Sequence, residues 1–105
     1  MTQKSVSKAE RELADLELVF AALAHASRRQ ILLALWLRGG ELSAGQIAER
    51  FSCAWPTTTR HLNVLVSAGL ISVRKEGRER FYTVERDRLV KITGGWLRWF
   101  EKPGS

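Results

Sequence analysis

Apolar residues recur at helical spacing along the first part of the chain and predict two helices there. In the first, expected over residues 8–24, one face carries charges and the other carries Leu13, Leu16, Phe20 and Leu23. The second is expected to open at Ser27, where Ser27 and Gln30 fit a capping box. Its apolar side chains continue to Leu35 and Trp36, and Gly39–Gly40 is expected to end it.

Two short helices separated by a tight break are predicted in the middle of the chain. Ser43 and Gln46 form a second capping box, which predicts a helix over residues 44–51. The next helix is expected to begin near Pro56, because proline suits a first turn, and to end at residues 68–69. A break of only three or four residues makes the two helices cross steeply, as in a helix-turn-helix.

The remaining pattern predicts a β-hairpin and a last helix. Residues 70–75 and 80–84 are rich in β-branched and aromatic side chains, and residues 76–79 join them. A helix is expected over residues 86–101, with Gly94–Gly95 kinking or breaking it. The fold class is therefore mainly α with a small hairpin, in the order ααααββα. A single winged helix-turn-helix domain is expected over residues 8–101, between a frayed N-terminus (1–7) and a tail (102–105).

The charge is unevenly distributed and favours a polyanionic partner. The net charge of the chain is +6, and residues 50–91 carry nine Lys/Arg against four acids, which is +5 for that segment. A solvated surface is the alternative interpretation of this charge. The apolar runs are too short to span a membrane, and no signal peptide pattern is present, so we expect a cytoplasmic protein without a membrane partner.

The single cysteine, Cys53, excludes an intramolecular disulfide and a cysteine-cluster zinc site. It precedes the helix that starts near Pro56, where a helix N-terminus can lower the pKa of a thiol, so a redox switch is one hypothesis. A buried, small apolar side chain is the other.

Two polar surfaces carry the candidate chemistry. A helical projection after Pro56 turns Thr57, Arg60 and His61 outward, with Asn63 beside them and Thr59 at the margin. Such side chains contact base edges and phosphates, although an ordinary polar helix face has the same composition. The hairpin gathers four basic residues around Gly77, which suits a DNA backbone but also a charged edge strand that resists aggregation: Arg74, Lys75, Arg78 and Arg80.

Five segments in this order resemble the ArsR/SmtB family of small dimeric winged-helix repressors, and the resemblance spans roughly residues 13–100. These segments are Phe20–Leu33, Glu41–Ala48, Pro56–Leu65, Ala68–Ile71 and Arg74–Arg78. The resemblance implies that the 55–68 helix enters the major groove, with the 74–80 hairpin as the wing. The implied contacts come from the wing tip, Arg78, and from helix residues Trp55, Thr57, Thr59, Arg60 and His61. It also implies a homodimer built by the first and last helices through Leu13, Leu16, Phe20, Leu89, Ile92, Trp96, Trp99 and Phe100.

The chain departs from the metal-sensing members of that family. Where they carry two cysteines at the start of the third helix, this chain has Ser43 and Gly45, and it has no histidine after His61. We therefore predict a member of the non-metal-sensing type, with no metal site and no cofactor.

The expected function is a homodimeric repressor that binds double-stranded DNA at a pseudo-palindromic operator. The alternative is a winged-helix module that binds a protein instead of DNA. An enzyme is not expected, because the sequence has no paired carboxylates, no nucleophile–base arrangement and no phosphate-binding glycine loop.

Overall fold

Five helices and three strands make up the fold in a computed structural model that describes residues 7–51 and 54–101. In chain order they are α1 (Lys8–Leu23), α2 (Ala26–Leu37), β1 (Glu41–Ser43), α3 (Ala44–Arg50), α4 (Trp55–Ser67), β2 (Ile71–Glu76), β3 (Glu79–Val84) and α5 (Arg86–Glu101). The predictions made for residues 1–6, for Cys53 and for the tail 102–105 lie outside the described residues.

The sheet has three antiparallel strands in the order β1-β3-β2, so the predicted hairpin carries one further strand. Glu41 pairs with Thr83 and Ser43 with Phe81, which buries Leu42 between them against the core. The predicted order ααααββα omitted β1 and becomes ααβααββα. A strand of three residues is too short to show the alternation of apolar and polar positions by which strands are identified in a sequence. Strand β1 is defined by its pairing with β3 instead.

Capping explains where three helices begin. The Ser7 hydroxyl accepts a hydrogen bond from the Glu10 amide, so Ser7 caps α1 and does not belong to a frayed end. The capping box of Ser43 and Gln46 is confirmed at the start of α3. The box predicted at Ser27 is wrong: α2 begins at Ala26, and the carbonyl of the preceding residue, His25, accepts the amides of Arg28 and Arg29 without a side-chain cap.

The last helix runs without interruption through Gly94–Gly95, so of the two predicted outcomes, a kink or a break, the break is wrong. Two glycines cost a helix about 2 kcal/mol in total. Tertiary packing offsets this cost, since α5 lies along α1 and the ring of Trp96 meets the ring of Phe20 edge-on at 5.3 Å. The sequence pattern of α5 alone does not contain that contact.

One apolar core joins the helices to the sheet. Its buried members come from every helix except α5, and from all three strands; the largest are Val19, Ile31, Leu35, Ile47, Leu62, Leu65, Leu70 and Ile71. The turn from α4 into β2 passes through Gly69, whose φ of +74° favours glycine. Arg88 of α5 closes over this turn, donates to the Ala68 carbonyl at 3.1 Å and pairs with Asp15 of α1 at 3.5 Å. The exit of α4 is thereby tied to both α1 and α5.

Across the described residues, no single helix is both long and apolar enough to cross a membrane. Only α1 and α2 taken together pass that test, and they are bent by 95° at the break between them.

Candidate nucleic-acid interface

Helix α4 has one buried face and one exposed face. The buried side chains are Thr58, His61, Leu62 and Leu65, at the i, i+3, i+4, i+7 spacing of a core-facing stripe. Thr57, Arg60, Asn63 and Ser67 follow each other at steps of three or four residues on the opposite side. Arg60, Asn63 and Ser67 are exposed, Thr57 is half-buried, and Trp55 is exposed at the first turn. The predicted outward placement of Thr57, Arg60 and Asn63 is thus supported by their position.

His61 does not lie on the outward face, so its predicted orientation is wrong. Its side chain is only 8% exposed, and its ring packs at a tilt against that of His25 with the centroids 4.7 Å apart. Arg28 approaches the Nδ1 atom of His61 at 3.3 Å. Arg28 is fixed in place, because its guanidinium also donates to the carbonyls of Ala22 and Ala21 at the end of α1. His61 therefore links α4 to the α1–α2 junction.

The environment of His61 favours its neutral form. A guanidinium has no acceptor, so Nδ1 must accept from Arg28 and carries no proton. Burial lowers the pKa of His61 below its usual 6.5, and the nearby charges of His25, Arg28 and Arg60 lower it further.

We expect this histidine to make the fold less stable in mild acid. Because the pKa of His61 is lower in the folded state, the unfolded chain takes up a proton first as the pH falls below about 6.5. The free energy of unfolding should then decrease until the lower folded pKa is passed, and should be insensitive to this group above about pH 7.5. Urea unfolding between pH 5 and 8 measures the effect. The variant His61→Gln should show a shallower decrease, and an unchanged slope would contradict the assignment.

Two threonines of the first turns of α4 also face inward. The Thr58 hydroxyl donates to the Ala54 carbonyl at 3.4 Å. The Thr59 hydroxyl is buried and has no hydrogen-bond partner among the described residues. The helix turns this oxygen away from the surface, and the DNA contact expected of Thr59 stays a prediction.

The start of α4 has no side-chain cap. Ala54 occupies the N-cap position and cannot accept a hydrogen bond with its side chain; its carbonyl instead accepts the amides of Thr57 and Thr58. Trp55 and Pro56 form the exposed first turn. An N-terminus of this kind is the positive end of the helix dipole, which favours anions nearby.

The β2–β3 hairpin has two faces of different character. Glu76 pairs with Glu79, so only Gly77 and Arg78 form the turn, and the positive φ of Gly77 (+62°) suits the first position of a type II′ turn. Directly opposed residues share one face of the sheet. On the face that carries the buried Ile71 and Tyr82, the outermost pair is Lys75 opposite Arg80.

On the other face of the hairpin, acidic side chains neutralise the charge of Arg74. Its guanidinium donates to Glu41 at 2.9 Å, is paired with Glu76, and lies 4.5 Å above the centre of the Phe81 ring. The hydrogen bond from the Thr83 hydroxyl and the bond from Arg74 lower the pKa of Glu41, and the same carboxylates raise the pKa of Arg74. The DNA contact expected of Arg74 stays a prediction, but its guanidinium, unlike those of the other wing arginines, already has carboxylate partners among the described residues.

Four cations, three on this hairpin and one on α4, have no carboxylate partner in the part of the chain that the structure describes. Within residues 7–51 and 54–101, no carboxylate forms an ion pair with Arg60, Lys75, Arg78 or Arg80, and all four side chains are exposed. Lys75 and Arg80 are like charges held opposite each other, an arrangement that destabilises an isolated hairpin. A polyanion bound against them removes that cost. These four residues, Arg60, Lys75, Arg78 and Arg80, are hereafter called the interface cations.

A second surface, apolar in character, runs along α1 and α5. Leu13 and Phe100 are 63% and 71% exposed, and the Phe100 ring packs at a tilt against that of Trp96 with ring centres 4.9 Å apart. Trp99 is exposed beside them. Leu16 and Phe20 are half-buried. Leu89 and Ile92 pack on the core of their own chain, so the partial burial of these two side chains does not require a second copy.

The molecule is flat, as expected if part of its apolar surface is completed by another chain. Its dimensions are 49 × 44 × 22 Å and its radius of gyration is 16.2 Å. A compact domain of about 100 residues has a radius of gyration near 13 Å.

The positions that would carry sensor cysteines serve other purposes. The Ser43 hydroxyl caps α3 and Gly45 is exposed in its first turn. In the part of the chain that the structure describes, no three histidine, cysteine or acidic residues gather into a group that could hold a metal ion.

Comparison with known proteins finds relatives of one kind. A family model described as a helix-turn-helix domain matches residues 23–74. The transcriptional repressor SdpR of Bacillus subtilis (strain 168) is 39% identical over 84 residues, which are 80% of this chain and 91% of that protein. The structure of an ArsR-like transcriptional regulator from Rhodococcus sp. RHA1 is 33% identical with a TM-score of 0.73, covering 85% of this chain and 82% of the other. A homodimeric winged helix-turn-helix DNA-binding domain from Mycobacterium bovis is 28% identical with a TM-score of 0.70, covering 99% and 94%.

Proposed function

This chain belongs to the ArsR family of winged helix-turn-helix transcriptional regulators, and we propose that it acts as a homodimeric repressor on a pseudo-palindromic operator. In this proposal α4 enters the major groove of the DNA, and the β2–β3 hairpin is the wing. Repression follows from occupying a promoter, in the cytoplasm, without a catalytic step or a cofactor.

The observation that carries the proposal is the charge of the interface cations, one on α4 and three on the wing. Arg60, Lys75, Arg78 and Arg80 lack carboxylate partners among the described residues, whereas Arg74 of the same wing is paired with Glu41 and Glu76. Phosphate contacts from unpaired Lys and Arg supply most of the affinity of a protein for DNA.

The roles within the site follow from side-chain chemistry. Arg60 can donate two hydrogen bonds to a guanine, Asn63 can pair with an adenine, and Thr57 offers a hydroxyl and a methyl group. Trp55, exposed at the first turn, packs against a sugar or a base in this arrangement. Lys75, Arg78 and Arg80 contact phosphates, which sets position but carries no sequence information.

A two-fold axis between α1–α5 faces would give the DNA site its symmetry. Two recognition helices related by that axis contact half-sites about one helical turn apart, roughly 34 Å centre to centre. The operator is therefore expected to be an inverted repeat.

Selection of bound sequences from a random duplex pool tests the function directly. We expect an inverted-repeat consensus, and an affinity that falls steeply with salt, with a slope near −5 in log K against log salt if the dimer neutralises about six phosphates. A slope near zero with no enriched sequence would contradict the proposal. Capture of a stoichiometric protein by a chain that retains no duplex would instead support a protein-interaction module.

Replacing Arg60 with alanine should relax specificity. We expect the binding free energy to weaken by about 1–3 kcal/mol on a duplex that carries the preferred base pair at the contacted position. On a duplex already altered at that position, the binding free energy should change little. Arg78→Ala is the comparison, because a phosphate contact at the wing tip should weaken binding to all sequences alike. Fluorescence anisotropy with the consensus and single-base variants distinguishes the two; equal behaviour of both variants would contradict the assigned roles.

A further inference from the structure

A groove between α2 and the first turns of α5 is not used by the interface described above. It encloses about 350 Å³, within the range of small-molecule sites. Its walls are mainly apolar side chains from the two helices: Leu32, Leu33, Trp36, Leu89 and Val90.

The apolar walls of this groove are open to solvent. Leu33 and Trp36 of α2 and Val90 of α5 are each about half exposed, at 57%, 52% and 49%. The groove lies at the beginning of α5, whereas Trp96, Trp99 and Phe100 of the expected dimer face lie at the end of that helix. The groove is thus an exposed apolar concavity with its own lining.

Two arginines give the groove a positive charge. Arg29 of α2 and Arg86 of α5 both line it, and none of the lining residues is acidic. Arg29 donates to the Leu23 carbonyl at 2.7 Å, which leaves its charge unpaired among the described residues. Arg86 meets only the exposed carboxylate of its neighbour Asp87, at 3.2 Å, and its guanidinium lies 5.6 Å from the centre of the Trp36 ring. An exposed pair of that kind is weak.

We propose that this groove binds an apolar monocarboxylate, with the carboxylate on Arg29 and Arg86 and the hydrocarbon body against Leu33, Trp36 and Val90. Charge complementarity selects the anion, because a guanidinium binds a carboxylate through paired N–H donors. The apolar walls select the hydrocarbon, because they leave water when it binds.

The position of the groove connects such a ligand to α4. Arg86, Leu89 and Val90 share the first turns of α5 with Arg88, whose guanidinium holds the Ala68 carbonyl at the end of α4. A ligand that shifts these turns also shifts that hydrogen bond, so the groove is a regulatory site; this second step rests on the proposed function.

Binding is tested on the full chain with sodium octanoate, and with octan-1-ol as the uncharged match, by calorimetry and tryptophan fluorescence. We expect octanoate to bind about 10-fold more tightly than octanol. The double variant Arg29→Gln/Arg86→Gln should remove that advantage, while Arg38→Gln, an exposed arginine at the end of α2 outside the groove, should retain it. Trp36→Ala should weaken both ligands.

Three results would overturn the site: equal binding of octanoate and octanol, an unchanged affinity in the double variant, or no saturable binding because a second copy covers the groove. Regulation is measured separately as the shift in operator affinity with saturating octanoate, expected to be at least about 5-fold. No shift overturns the regulatory step alone. Failure to bind any duplex would refute the proposed function, whereas calorimetry decides the groove independently of DNA.

Discussion

Replacing both Leu13 and Phe100 with glutamate is expected to convert the proposed dimer into monomers and to lower operator affinity by about 100-fold or more. In one chain these side chains are largely exposed, so the charges cost a monomer little. In a two-fold interface they would place four carboxylates in an apolar contact, where each unpaired charge is expensive to bury. A monomer also loses the second half-site, whose linkage is worth about 100- to 10,000-fold in avidity.

Sedimentation and titration of a labelled operator measure the two effects together. Leu37→Glu is the matched control, because Leu37 at the end of α2 is as exposed as Phe100, at 71%, but lies outside the α1–α5 face. The control should remain dimeric and should retain its affinity. A double variant that stays dimeric, or a control that dissociates, would show that the chain dimerises through another surface.

Signals within a few residues of each other allowed the framework of the fold to be predicted. Ser43 and Gln46 lie three positions apart and cap α3 as expected. Pro56 falls within the first turn of α4, and Gly77 takes the positive φ that the tight hairpin turn requires. Such features depend on neighbouring backbone and side-chain groups, so the sequence contains all that determines them.

The errors at the site come from partners far away in the chain. A histidine in a polar stretch is expected to face water, but the His61 side chain is buried against Arg28, which lies thirty-three positions earlier in the sequence. In the sequence Arg74 resembles the other wing cations, but in the structure it pairs with Glu41 of β1, which also lies thirty-three positions away. Neither partner is visible in a local pattern, because only the packing of α2 and the pairing of β1 bring them close.

The same reasoning explains the last helix. Gly94–Gly95 predicts a break from propensity alone, and the packing of Trp96 on Phe20 of α1 overrides it. The two glycines cost the helix about 2 kcal/mol together, and the edge-on contact of Trp96 with Phe20 offsets this cost together with the packing of Leu89 and Ile92 on the core. The boundaries of α5 could therefore be predicted, but its continuity could not.

The two faces of the wing should respond in opposite ways to loss of charge. The double variant Lys75→Ala/Arg80→Ala removes four unpaired cations from the proposed dimer, so the slope of log K against log salt should become shallower by about 3 to 4. The free protein should at the same time become slightly more stable, by about 0.2–1 kcal/mol, because two like charges no longer oppose each other across the strands.

Arg74→Ala removes the same charge from the other face and is the matched control. Its guanidinium is already paired with Glu41 and Glu76, so few counterions are released when DNA binds there, and the salt slope should hardly change. Its loss should instead weaken the attachment of β1 to the wing. Operator titrations from 50 to 300 mM salt (roughly the range in which such slopes are resolved), together with urea unfolding, separate the two variants. If Arg74→Ala flattens the salt dependence as much as the double variant does, the wing meets DNA with both faces and the division of charge proposed for it is wrong.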